Sequence, residues 1–115
     1  MISPADATAA AAVLAALAEP TRLRILYLLA RGPHHVGGLA ELLGVPIVNT
    51  SHHLGIMRRA GLVEGVRDGA NGQRVVYGLR PGVLSPGTGG SLGTLAAGPY
   101  RVEIRADART PARPL

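Results

Sequence analysis

Five polar side chains crowd into one short stretch of this chain: Asn49, Ser51, His52, Arg58 and Arg59. Their types suit the reading of nucleic acid. An Asn amide can address adenine with two hydrogen bonds, Ser and His can reach base edges or phosphate oxygens, and Arg serves both roles. Ile47, just ahead of them, could contact a thymine methyl. Two more arginines, Arg67 and Arg74, bracket the segment Asp68-Gly69-Ala70-Asn71-Gly72, which holds the DG and NG dipeptides of tight hairpin turns. At a hairpin tip they would meet backbone phosphates. An ordinary solvated helix face would carry a similar set, so the elements around these residues decide between the two readings.

The stretch 39–63, LAELLGVPIVNTSHHLGIMRRAGLV, reads as two short helices joined by a tight Gly-containing turn. That is a helix-turn-helix, whose second helix fits the major groove of duplex DNA. The reading helix is predicted over about residues 47–60, with Leu54 and Met57 inward, Thr50 a turn earlier and Gly61 as its cap. Three helices precede it. The first spans about residues 4–17, opened by Pro4 and carrying Val13, Leu14 and Leu17 as an apolar stripe. Its alanines permit close helix approach, either to its own domain or to a second copy.

The second helix starts near Glu19-Pro20-Thr21 and centres its buried stripe on Ile25, Leu26 and Leu29, with Leu23 and Leu28 at the edges. Arg24 and Arg31 fall toward solvent, and Gly32-Pro33 ends the helix. The third, about residues 35–43, buries Val36, Leu39, Leu42 and Leu43 and closes at Gly44. Strands over about 62–67 and 73–79, with Val63, Val66, Val75 and Val76, make the hairpin.

The expected fold class is therefore mainly α with a small β-wing: a winged helix-turn-helix of about four helices plus a hairpin. Residues 1–80 form that unit. Residues 81–99 hold six of the sixteen glycines and three of the nine prolines, which reads as a loop interrupted by one apolar piece, Leu92 to Ala97. YRVEIR at 100–105 alternates as an extra strand, so 81–105 is a Gly/Pro-rich extension, and the tail from Ala106 is expected to be disordered.

A chain of 115 residues with a net charge of +5 suits one domain with a polyanionic partner, without saying which polyanion. All twelve basic residues are Arg, whose fork binds phosphate and guanine bidentately. A GC-rich genome would produce the same choice. With no Phe or Trp and three Tyr, the stacking platforms of single-strand binders are missing. Zero cysteines exclude disulfides and thiolate metal sites. The most apolar run, Ala7 to Ala18, lacks a basic leader and is too short for a bilayer, so the expected compartment is the cytoplasm and no membrane partner is expected.

With those residues in view, the chain resembles the ArsR/SmtB family of bacterial winged-helix repressors. Three pieces carry the likeness: LAEPTRLRILYLL at 17–29, TSHHLGIMRRAGLV at 50–63 and RVVYGL at 74–79. In order and spacing they are similar to that family's second helix, recognition helix and wing. The resemblance covers about residues 8–80. It implies a homodimer that binds palindromic double-stranded DNA and leaves when an inducer, often a metal ion in the family, binds.

The family's metal motif has no counterpart. Its metal-sensing members open the third helix with Cys-Val-Cys, where this chain has His35, Val36 and Gly37. A second family site lies on a long C-terminal helix, which this chain replaces with the glycine-rich stretch and a predicted strand. No metal and no cofactor are expected, although His34 and His35 remain candidate ligands, and the inducer stays unidentified. The missing helix leaves dimerisation to the alanine-rich first helix, helped by strand 100–105.

Catalysis is not expected. Ser51 and His52 are helix neighbours pointing about 100° apart with no orienting carboxylate nearby. The start of the reading helix, Pro46-Ile47-Val48, is apolar where the family is polar. The alternative function is therefore a winged-helix protein–protein interaction module with weak or no DNA binding, using Ile47, Val48 and Ile56 as an apolar patch.

Overall fold

Ser3 starts the first helix by accepting a hydrogen bond from the Asp6 amide at 3.1 Å, and Pro4 supplies the preset φ of the first turn. The computed structural model describes residues 1–70, 72 and 74–107. Helix α1 (Pro4–Leu17) is followed by α2 (Pro20–Ala30), the two-residue strand β1 (His34–His35), α3 (Val36–Leu43) and α4 (Ile47–Arg59). Strands β2 (Val63–Asp68) and β3 (Arg74–Leu79) form the wing. A second sheet follows from β4 (Leu84–Pro86), β5 (Ser91–Ala97) and β6 (Tyr100–Arg105).

One core joins these elements. Ile25, Leu26 and Leu29 of α2, Leu39 and Leu43 of α3, and Leu54 and Met57 of α4 pack with Leu62 and Val63 at the foot of the wing. Each fully buried Leu or Ile contributes about 1.5–3 kcal/mol relative to exposure. Thr50 is buried among them without penalty because its hydroxyl donates to the Pro46 carbonyl at 3.1 Å. Gly44 closes α3 in the left-handed conformation (φ 65°), which produces the tight turn into α4.

Several side chains depart from expectation. Leu42 is half exposed, because Leu39, Ala40 and Leu43 already fill the buried arc of α3. Leu14, Leu23 and Val66 are also exposed, and on α1 the buried residues are Ala10, Ala16 and Leu17. Arg24 does not run free to solvent; its Nη1 donates to the Leu43 carbonyl at 3.2 Å. Strand β2 begins one residue later than the valine pattern suggested, and β1 adds a third strand, giving the order β1-β3-β2.

The larger correction lies after residue 80. The segment read as a loop supplies β4 and β5, which pair antiparallel with β6 in the order β4-β5-β6. Val83, Leu95 and Ala97 are buried, the first two in the main core. Glycine is required here for shape. Gly93 has φ 147° at a bulge in β5, and a Cβ there would collide with the Ser85 carbonyl oxygen. Gly98, in the β5–β6 turn, packs so closely on α1 that a Cβ would lie 3.1 Å from the Ala10 nitrogen. The expected strand at 100–105 is present. Of the tail, Ala106 is tied to the Gly90 carbonyl at 2.9 Å, and residues 108–115 lie outside the described residues.

Candidate nucleic-acid interface

Helix α4 rests on the core through Thr50, Leu54 and Met57. Since each residue advances about 100° around the axis, the crest facing away from the core carries Val48, His52 and Arg59. All three are exposed, Val48 by 75%. One flank, with Ser51, Gly55 and Arg58, faces the wing. Together with Gly65, Arg67, Val75 and Tyr77 it lines a polar concavity of about 310 Å³. Asn49 falls on the other flank, beside Ile56 and His53. The sequence grouped Asn49, Ser51, His52, Arg58 and Arg59 on one face; the fold distributes them over a crest and two flanks.

All eight residues singled out in the sequence are exposed: Ile47, Asn49, Ser51, His52, Arg58, Arg59, Arg67 and Arg74. Ile47 leans toward the start of α3, where its Cδ1 would lie 3.7 Å from a Cβ on Gly37. The two wing arginines are held by local contacts. Arg67 Nη1 donates to the Gly72 carbonyl at 3.0 Å across the hairpin tip. Arg74 Nη1 lies 3.4 Å from His35 Nε2, next to the start of α3. Gly65 leaves room for the side chains of the facing strand, because a Cβ there would lie 2.7 Å from Val75 Cγ1.

Sequence reasoning missed what holds α4 in place. His53 lies under the helix, and Arg22 Nη1 donates to its Nδ1 at 3.1 Å. A guanidinium can only donate, so Nδ1 is the acceptor and Nε2 carries the proton of the neutral ring. Arg22 Nε also bonds the Ala16 carbonyl, and Glu19 accepts from the Arg22 amide at 2.9 Å while standing 3.7 Å from His53. The Arg22 amide, with the Arg22 charge adding to it, holds the Glu19 carboxyl below its usual range. This cluster ties α1, α2 and α4 together. Its signal in the sequence was Glu19 three residues before Arg22 at a helix start.

A scan of family profiles matches residues 19–65 to the profile described as bacterial regulatory protein, arsR family. The chain is 45% identical over 80 residues to the HTH-type transcriptional regulator NmtR of Mycobacterium tuberculosis, covering 67% of this chain and 64% of NmtR. It is 38% identical over 72 residues to the transcriptional repressor SdpR of Bacillus subtilis, covering 63% of this chain and 77% of SdpR. The chain belongs to the arsR family.

A solved structure agrees with that placement. Mb0332 from Mycobacterium bovis, described as a homodimeric winged helix-turn-helix DNA-binding domain, superposes with a TM-score of 0.60 at 34% identity, over 68% of this chain and 72% of that one. This arsR-family protein thus has a winged-helix fold, in a family of transcriptional regulators rather than enzymes. It spans slightly less than two thirds of NmtR, and the profile match stops at residue 65, before the second sheet.

The metal chemistry of some family members does not fit the residues here. His34 Nδ1 donates to the Gly32 carbonyl at 2.9 Å, and the guanidinium of Arg74 lies beside His35. A bound cation would face that fixed positive charge. Among the described residues no three His, Asp or Glu side chains converge, so the four donors of a zinc site are not assembled. Also among the described residues, no helix is long and apolar enough to cross a membrane.

Proposed function

We propose that this arsR-family regulator is a homodimeric, cytoplasmic repressor that inserts α4 into the major groove of a palindromic operator and lays each wing on the flanking backbone. The observation that carries this reading is the exposed crest of α4, His52 and Arg59, next to a wing-side flank, Ser51 and Arg58, that shares one polar concavity with Arg67. Crest residues read base edges; wing arginines neutralise phosphates. The repressor role is supported by likeness to SdpR, and the dimer by likeness to Mb0332.

Helix α1 supports the dimer independently. From Ala9 to Leu17 it is apolar all round, yet it buries only Ala10, Ala16 and Leu17, and Leu14 is left 45% exposed amid alanines. A helix of that kind is normally covered on both sides. Leu14→Glu should convert the dimer to a folded monomer in sedimentation velocity while circular dichroism is unchanged.

The apolar opening of α4, with Ile47 51% and Val48 75% exposed, favours the second reading, a protein-contact module. Fluorescence anisotropy separates the two. Binding to the protein's own promoter duplex should exceed that to random duplex, and log affinity should fall against log salt with a slope of about −0.9 per phosphate contact. Weak, salt-insensitive and equal binding to both duplexes would replace the repressor reading with the contact module.

A further inference from the structure

Away from α4 and the wing, the second sheet does not close completely over α2. A cleft of about 850 Å³ remains between the end of α2, the foot of β3 and the strands β4 to β6, a size typical of small-molecule sites. Its walls are apolar. Tyr27, Leu79, Leu84, Leu92 and Ile104 line it, each only half-buried. Gly87, Gly89 and Gly90 form another side and have no side chains with which to fill it.

Charged groups break this largely apolar lining, one of them at the end of α2. Arg31 lies 4.8 Å from the centre of the Tyr27 ring, and its Nη1 donates to the Tyr27 hydroxyl at 3.0 Å. That bond uses one of the five N–H donors of a guanidinium. Among the described residues, no carboxylate pairs with Arg31. Arg105 also lines the cleft, but Glu103 holds it at 3.1 and 3.2 Å. With Glu103 on Arg105, Asp107 is the other acid beside the cleft, so Arg31 alone favours an anion there, and not an excess of arginine. Arg31 is exposed, so water meets its remaining donors when the cleft is empty; a cation would be repelled by it, and a neutral apolar molecule would gain nothing from its fork. A carboxylate meets that fork with two parallel bonds.

We infer that this cleft binds an amphipathic monoanion, an apolar body bearing a single carboxylate whose head group pairs with Arg31. Such a ligand touches the control points of the DNA-binding surface. Arg31 leads through Gly32 and Pro33 into β1, which pairs His34 with Tyr77 and His35 with Val76 of the wing strand β3. Leu79, at the foot of that same strand, is also on the cleft wall. A ligand wedged between Arg31 and Leu79 therefore bears on the joint that sets the wing against α3. The regulatory consequence rests on the proposed DNA-binding function; the binding itself does not.

Equilibrium dialysis of the full chain, without DNA, against decanoate and against 1-decanol tests the site. Decanoate should bind about tenfold tighter, the worth of one charge-assisted pair. Arg31→Gln should erase that preference, Arg31→Lys should keep part of it, and Ala30→Trp, which fills the cleft, should weaken both ligands while circular dichroism stays unchanged. Equal affinity of the two ligands, no binding of either, or a preference that survives Arg31→Gln overturns the proposal. In a second arm, saturating decanoate should weaken promoter binding. Decanoate that binds without changing promoter affinity overturns the coupling, whereas a protein that binds decanoate but no duplex refutes the DNA-binding reading and leaves the site standing.

Discussion

The two antiparallel sheets have three strands each and opposite relations to the core. In the wing sheet only Val63, at the foot of β2, is buried, and every residue from Glu64 to Asp68 is exposed. In the second sheet Gly93, Leu95 and Ala97 are buried along β5, which lies against α1 and the core. Strand β2 stands clear of the protein beyond its foot while β3, half-buried from Val75 to Leu79, ties it to the core, and the hairpin offers Arg67 and Arg74 at its tip. The second sheet caps the molecule and takes the place next to α1. A strand anchored only at its foot is free to meet a partner; one buried along its length holds the fold and shapes a cleft behind it.

Core substitutions should expose that contrast most strongly. Leu95→Ala is expected to cost about 2–5 kcal/mol in urea unfolding, because it leaves a cavity where the second sheet meets the core. Val66→Ala in the exposed wing should stay within about 0.5 kcal/mol. Equal losses would mean that the wing is packed rather than free.

Next come the effects on DNA. His52→Ala, on the crest of α4, should weaken operator binding by about 1–3 kcal/mol and relax the choice of base, with Asn49→Ala doing the same from the far flank. If either substitution changed random-duplex affinity as much as operator affinity, its role as a base reader would be wrong. Arg67→Ala and Arg74→Ala should weaken all duplexes alike and flatten the log–log salt slope by about 0.9 each. An unchanged slope would show that their contacts to Gly72 and His35 persist in the complex and that the wing tip does not reach phosphate.

The smallest effect concerns Glu19. Its carboxyl is held below the usual range in the folded chain, chiefly by the Arg22 amide. A depressed carboxylate contributes stability above its unfolded value and loses it as pH falls through the folded one. The urea midpoint of the native chain should therefore drop below about pH 4 more steeply than that of Glu19→Gln. Parallel profiles would remove Glu19 from the anchoring of α4.

Much of the site was legible because it depends on neighbours within one or two turns. Thr50, Leu54 and Met57 set the phase of α4, so the exposure of His52 and Arg59 follows from spacing alone. Gly44 and Gly61 mark helix ends through their left-handed φ. The division of the polar residues between crest and flanks was harder to see, since it depends on where the wing lies. The cluster of Glu19, Arg22 and His53 spans more than thirty residues, too far for a local pattern to join them. Leu42 misled for the opposite reason: its spacing allowed burial, but its neighbours on α3 had already taken the space.

By itself the sequence determined the four helices, the hairpin and the family to which they belong. Helix phase, capping and turn chemistry are local, and they act before any long-range contact forms. Only the tertiary structure decided that the glycine-rich stretch after Arg80 folds into a sheet. There glycine removes side chains so that backbones can approach, as Gly93 does at Ser85 and Gly98 at Ala10. A residue chosen for the absence of a side chain looks the same in a loop and in a close contact, and the difference lies in a partner far away along the chain.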